Sequence, residues 1–339
     1  MNVRMWIQAL RVVPRVSDAE WVKLDVVSRW LIASRSAVFV LTFISASIAG
    51  LLAVRSGAFD PALWLLTMLA LVAAHASNNL LNDLTDFSRG VDRNNYFRAL
   101  YGPQTLERGL LSRAGLLSRA GLLRYASFGS VIALAIGAYL VSVRGPLALA
   151  LLVAGAFFVL FYTYPLKYYG LGELAVLLVW GPLMIGGTYF IVTGAWDWAV
   201  AIAGLPYALG ATTVIFGKHI DKARDDRALG IHTLPVIVGE RAARALCTGM
   251  LIAQYAIVVY LVITGFFAPT LLLVFVATPL LRNALRALRT PRPVERPDSY
   301  PAVVWPLWFV RYCFAHNRRW GALFLVGLIG DVVLRTVIR

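Results

Sequence analysis

Two stretches of the chain gather carboxylates, amides and bases at spacings that suit metal and phosphate chemistry. The first reads HASNNLLNDLTDFSRGVD; as a helix it sets His75, Asn79, Asn82 and Asp86 four, three and four residues apart, along one face. Asp83 lies beside that stripe, and Gly90 lets the chain turn before Asp92. The second reads FGKHIDKARDDRALGIHTLP, in which Lys218, Asp221 and Asp225 share a face, Asp226 is adjacent and Gly230 supplies a break. Oxygen donors of this kind suit Mg2+, which commonly bridges carboxylates to substrate phosphates. Carboxylates alone would repel a diphosphate, whereas carboxylates holding magnesium bind one. Lys218, Lys222, Arg224 and Arg227 are placed to neutralise charge as a leaving group departs, with Arg35 and Arg98 as more distant cations. A single aspartate in either stretch also reads as a solvated helix end, and it is the pair of clusters that argues for a site.

A third stretch, FYTYPLKYYGLGE, contributes Tyr162, Tyr164, Lys167, Tyr168 and Glu173. Lys167 is a phosphate contact by its chemistry, and tyrosine faces can stabilise an allylic cation. Aromatics at a bilayer boundary serve equally as an interfacial belt. Glu173 opens an otherwise apolar helix, where it orients Lys167, accepts a proton from an aromatic acceptor, or acts as a favourable charge at a helix start.

The elements that must position these groups are membrane helices. Sixty per cent of the 339 residues are hydrophobic and only 14% are charged. The apolar residues form nearly charge-free runs at 36–54, 61–81, 125–143, 147–166, 171–192, 198–216, 247–267 and 269–281. Each approaches or reaches the ~20 residues that cross a bilayer as a helix, the last being short. A tail follows with apolar runs at 300–310 and 321–338, separated by Arg311, His316, Arg318 and Arg319; we read it as one or two further segments with a polar break. Residues 1–35 form a basic N-terminal segment that is cytoplasmic or interfacial, residues 36–281 the membrane core, and residues 282–339 a basic linker with the C-terminal segments.

With the N-terminus in the cytoplasm, the short outer turns carry only Arg55 and Arg144, while the inner connections hold the other loop arginines and lysines. All three chemical stretches then lie on the inner side. The net charge of +15 is accounted for by anionic lipid headgroups, and no nucleic-acid partner is expected. Residues 1–14 suit an interfacial amphipathic helix. Cys247 and Cys313 have no zinc-like spacing and read as packing residues. A local repeat, GLLSRA-GLLSRA-GLLRYA, reads as a basic interfacial lead into the third membrane helix, or as part of an active-site cover.

On these residues the chain resembles the UbiA superfamily of intramembrane aromatic prenyltransferases, and within it the 1,4-dihydroxy-2-naphthoate prenyltransferases of menaquinone biosynthesis. Asn82, Asp83, Asp86, Gly90 and Asp92 match the first acidic signature. Gly102-Pro103, Tyr162-Thr163 and the run from Gly170 to Glu173 resemble further signatures of that branch. Asp226, Gly230, Thr233 and Leu234 match the second signature, but Lys222 then stands where an upstream aspartate is expected, unless a one-residue shift brings Asp221 into use. The DRALG stretch also looks like the tetrapyrrole-tail prenyltransferases. The resemblance implies an all-α polytopic bundle of about nine transmembrane helices around a lipid-open cavity, in a bacterial plasma or inner membrane. It implies Mg2+ held by Asp83, Asp86 and Asp92 with Asp221 and Asp225 or Asp226 against a polyprenyl diphosphate, and Asn82 fixing the first carboxylates or binding the complex directly. An aromatic acceptor, or quinone precursor, would then attack the allylic cation. Catalytic roles fall to Asp86, Asp221 and Glu173, and substrate contacts to Arg35, Asn79, Asn82, Arg98, Tyr162, Lys167, Lys218, Lys222 and Arg224.

A secondary transporter would need its polar groups at the midplane with access to both sides. A noncatalytic membrane assembly protein would need no magnesium-dependent diphosphate release. Carboxylates gathered at the inner helix ends, with sparse outer loops, favour the enzyme.

Overall fold

Apolar runs long enough to span a bilayer, punctuated by Pro, Gly and Asp, fold here into helices throughout. A computed structural model describes residues 2–11, 14, 16, 18–89 and 119–337. Three short helices, α1 (Val3–Arg11), α2 (Asp18–Lys23) and α3 (Val26–Ala33), precede the long ones, and α1 is the amphipathic element expected there. Then come α4 (Phe39–Ser56), α5 (Pro61–Ser88), α6 (Arg119–Arg144), α7 (Pro146–Phe161) and α8 (Gly172–Thr193). The remainder is α9 (Trp198–Ala203), α10 (Leu205–Ala228), α11 (Leu234–Val238), α12 (Glu240–Ile263), α13 (Pro269–Arg289) and α14 (Phe309–Val337).

Local chemistry sets the ends. Asp60 accepts the amides of Ala62 and Leu63, both at 2.9 Å, and Pro61 takes the first position of α5. At the preceding turn, Gly57 ends α4 with φ of 77°, a left-handed conformation that glycine adopts without a Cβ clash. Among the described residues six helices are long and apolar enough to cross a bilayer: 36–56, 61–88, 120–144, 172–193, 240–263 and 269–289. The chain is an integral membrane protein. The shorter α7 is also apolar, while α10 and α14 have the length but carry charges.

Two elements differ from the sequence expectation. The run at 198–216 is divided at Gly204 into α9 and α10, where a Cβ on Gly204 would sit 2.8 Å from Ile185, so the turn is packed tightly on α8. The tail has no polar break: α14 runs unbroken through Arg311, His316, Arg318 and Arg319. His316 is buried and meets the Tyr255 hydroxyl at 2.9 Å, which gives that polar group a partner inside the bundle. Cys247 and Cys313 are buried 3.8 Å apart as free thiols.

The main core joins α4, α8, α10, α12, α13 and α14, with Trp320 stacked on Phe324 at a centroid distance of 5.0 Å. Within α8, residues 179–186 widen into a π-helical turn around Pro182. Proline removes the usual amide donor, and such turns recur at functional sites. Here the turn presents Trp180, Leu183 and Met184 to an internal cavity.

Candidate active site

The cavity has a volume of about 1410 Å³ and is walled mostly by Leu, Ile, Val, Ala and Phe from α4, α5, α6, α7, α8, α10 and α14. Its polar lining includes Arg35, His75, Asn78, Asn79, Asn82, Tyr162 and Lys218. Of the four residues of the first stripe, His75, Asn79 and Asn82 line this wall and Asp86 does not.

Asp83 and Asp86 are buried just past it, at the end of α5. Asp83 accepts a hydrogen bond from the guanidinium of Arg35, and Asp86 from Lys167 Nζ at 2.7 Å. Arg35, a more distant cation by sequence, is thus a direct partner of the acidic stripe. It occupies the break before α4 with φ of 56°, a backbone region that residues with a Cβ seldom visit. Asn79 donates from Nδ2 to the carbonyl of Ser34 at 2.9 Å, which ties the same break to α5. Asn82 Oδ1 is buried without a hydrogen-bond partner. Lys218 lines the cavity on α10 and lies within electrostatic reach of Arg35, Lys167, Lys222 and Asp86, so the first and second stretches do converge.

The second stretch is arranged less simply. Both oxygens of Asp221 are engaged, one by the amide of Phe309 and the other by that of Val310, each at 3.1 Å. Arg292 donates to its carbonyl at 3.0 Å. Gly217 allows this approach, because a Cβ there would meet Val310 N at 2.8 Å. Asp226 is buried and faces Lys222 at 3.4 Å. Asp225 and Arg224 are exposed, and exposed Arg227 donates to the carbonyl of Val236 at 3.2 Å. Asp92, Arg98, Gly102-Pro103 and most of the hexapeptide repeat lie outside the described residues. Among the described residues, no three acidic, histidine or cysteine side chains converge as a metal cage.

Glu173 is buried behind the cavity wall. Its Oε1 is 2.6 Å from His219 Nδ1, and its Oε2 accepts the amide of Leu234 at 3.4 Å. It is not among the cavity-lining residues. His219 was visible in sequence only as a residue between Lys218 and Asp221, and nothing in spacing alone pairs it with a carboxylate 46 positions earlier. Trp180 was likewise unremarked within an apolar run. It lines the cavity and meets the His75 ring edge-on at 5.5 Å. Tyr164 and Tyr168 instead receive Arg89, whose guanidinium lies 3.5 Å from the Tyr164 centroid.

A family model described as "UbiA prenyltransferase family" matches residues 42–317. The Drosophila melanogaster "UbiA prenyltransferase domain-containing protein 1 homolog" is 27% identical over 202 residues, which are 59% of this chain and 54% of that protein. The matched region spans about half to two thirds of the length of this and the rat relative, at 54% and 66%. A "1,4-dihydroxy-2-naphthoate octaprenyltransferase" of Mycobacterium tuberculosis is 30% identical over 258 residues, covering 73% of this chain and 84% of that one. Among solved structures, a UbiA homolog from Aeropyrum pernix K1 superposes with a TM-score of 0.58 at 20% identity, covering 86% of this chain and 97% of that one. A UbiA homolog from Archaeoglobus fulgidus bound to DMAPP and Mg2+ gives 0.55 at 15% identity, over 90% and 99% of the two chains. These two likenesses establish a shared fold.

Proposed function

The chain belongs to the UbiA prenyltransferase family, and from that premise we propose that it moves a polyprenyl group from a polyprenyl diphosphate to an aromatic acceptor, with Mg2+ as cofactor. The acceptor class we favour is 1,4-dihydroxy-2-naphthoate or a related quinone precursor, in keeping with the mycobacterial relative named for that substrate. One observation carries the reading. At the end of α5, Asp83 pairs with Arg35 and Asp86 with Lys167, beside a large apolar cavity that Asn82 and Lys218 line.

The donors at the first cluster fit a hard divalent cation. Asn82 Oδ1 is buried with no hydrogen-bond partner, beside the Asp83 and Asp86 carboxylates, and this is an oxygen-only set. Asp92 would join from beyond the described residues. The second cluster fits less well, because Asp221 is spent on two amides; there Asp226 is the buried carboxylate nearest the role, with Asp225 at the surface. When bound, Mg2+ would neutralise the diphosphate and stabilise its charge as it leaves.

The chain supplies the rest. Lys167, Lys218 and Arg35 provide positive charge toward the departing diphosphate. The apolar walls exclude water from the allylic cation, and the faces of Tyr162 and Trp180 stabilise it. A prenyl tail carries many methylenes at about 0.8 kcal/mol each when buried, so entry from the bilayer is favoured over passage through water. We place the active-site loops on the cytoplasmic side and the chain in a bundle of about nine spans, with Lys222, Arg224 and, outside the described residues, Arg98 as further cations for the substrate. Glu173 we assign to positioning: it braces His219 and the start of α11.

The test is magnesium-dependent product formation in membranes from a host without the activity. Geranylgeranyl and longer prenyl diphosphates would be offered with naphthoate, hydroxybenzoate, homogentisate and chlorophyllide acceptors, and products identified by mass spectrometry. A prenylated product lost in Asp86→Asn supports the reading and selects the acceptor. A chlorophyllide product would move the chain to the tetrapyrrole-tail class. Absence of both product and diphosphate release from folded protein would reject it.

A further inference from the structure

When a hydroxylated aromatic ring attacks an allylic cation to give a neutral ketone form, its O–H proton must pass to a base, and the described cavity lining contains no carboxylate to take it. Glu173, the acid closest to that role by sequence, sits behind the wall against His219. The cavity-lining side chains that titrate or carry charge are Arg11 from α1, Arg35 from the turn before α4, His75 from α5, Tyr162 after α7, Lys218 from α10, and Arg311, Arg318 and Arg319 from α14. The faces of α4, α6 and α8 that line the cavity present no charged group. Of this set His75 is the one imidazole, whose neutral form carries a ring-nitrogen lone pair that can accept a proton.

Its surroundings hold it in place. His75 Nδ1 is 2.8 Å from the hydroxyl of buried Thr42, and its ring lies between Phe39 at 5.3 Å and Trp180 at 5.5 Å. In the tautomer that donates Nδ1–H to Thr42 Oγ1, the lone pair of Nε2 is left for the cavity. At ~1.5 Å per residue, His75 stands ~12 Å along α5 from Asp83. That is deeper than the diphosphate end, where a ring attacking the first prenyl carbon would lie.

Resting on the prenyl transfer proposed above, we infer that His75 is the catalytic base of this enzyme, taking the hydroxyl proton of a hydroxylated aromatic acceptor. The C–O bond of the prenyl diphosphate breaks and its electron pair leaves with the diphosphate. A ring carbon bonds to the allylic carbon as the acceptor's O–H proton passes to Nε2, giving a neutral ketone form of the ring. That form regains aromaticity by losing the proton at the alkylated carbon, or carbon dioxide where a carboxylate stood there, while its oxygen is reprotonated. His75 then returns its proton to water. Thr42 is a positioning residue that selects the tautomer.

The experiment compares wild type, His75→Gln and Thr42→Val in proteoliposomes, following diphosphate release, prenylated product and prenyl alcohol across pH. Wild-type prenylation should fall on the acid side, where His75 is protonated. In His75→Gln, prenylation should drop by roughly a hundredfold or more, the acid limb should vanish, and diphosphate release should continue with water capturing the cation as prenyl alcohol. Thr42→Val should lower kcat with little change in KM and displace the acid limb. It also serves as the second variant should His75→Gln not fold. An unchanged pH profile and product ratio in His75→Gln, or an unchanged limb in Thr42→Val, would overturn the assignment. So would an equal loss of diphosphate release and prenylation. If wild type itself prenylates no hydroxylated aromatic, it is the proposed function that fails, and the two failures are thereby distinguished.

Discussion

The carboxylate of Asp221 receives the backbone amide of Val310 at 3.1 Å, and its second oxygen receives that of Phe309. A side chain with metal-ligand spacing in sequence therefore fastens the first turn of α14 to α10. Free amides at a helix start carry partial positive charge, so a carboxylate there is electrostatically favoured. Asp221→Ala should leave two buried donors without an acceptor and cost about 1–3 kcal/mol. Thermal unfolding in detergent would register the loss, while the magnesium concentration giving half-maximal activity should stay unchanged. A large shift in that concentration with intact stability would return Asp221 to the metal.

Lys167 and Asp86 form a buried pair at 2.7 Å. Lys167→Met leaves the Asp86 carboxylate uncompensated, and breaking a buried pair on one side costs about 3 kcal/mol or more. A divalent cation can supply the missing charge. Magnesium should therefore raise the unfolding temperature of Lys167→Met more than that of wild type, by ligand linkage. Equal magnesium responses would place the ion away from Asp86.

Asp86→Asn should depress magnesium-dependent diphosphate release at least about a hundredfold, and a chelator should abolish wild-type release until Mg2+ is restored. Release assayed with radiolabelled prenyl diphosphate checks both. Full activity in the chelated protein would separate the acidic stripe from metal chemistry.

Glu173→Gln keeps an acceptor for the amide of Leu234 but weakens the contact with His219. Stability should fall by about 2 kcal/mol, and the shape of the pH–rate profile should persist. Loss of a titrating limb in this variant would instead make Glu173 the base.

Membrane orientation is open to thiol labelling, because the native cysteines are fully buried. Ser142 and Ser88 are exposed at opposite ends of the bundle. An impermeant maleimide should label Ser142→Cys in intact cells and Ser88→Cys only after permeabilisation. The reverse pattern would invert the topology.

The sequence by itself determined the membrane class and set His75, Asn79 and Asn82 along one face of α5, because local periodicity places residues on a face without tertiary information. The opposition of Lys218 to that stripe followed from counting spans. Tertiary structure decided which cation neutralises which carboxylate: Arg35 reaches Asp83 across 48 positions and Lys167 reaches Asp86 across 81. It also decided that Asp221 anchors α14 and that Glu173 turns to His219. A carboxylate near the end of a helix looks the same in sequence whether it meets a metal, an imidazole or the amides of another helix, because those partners come from distant segments that only packing brings together.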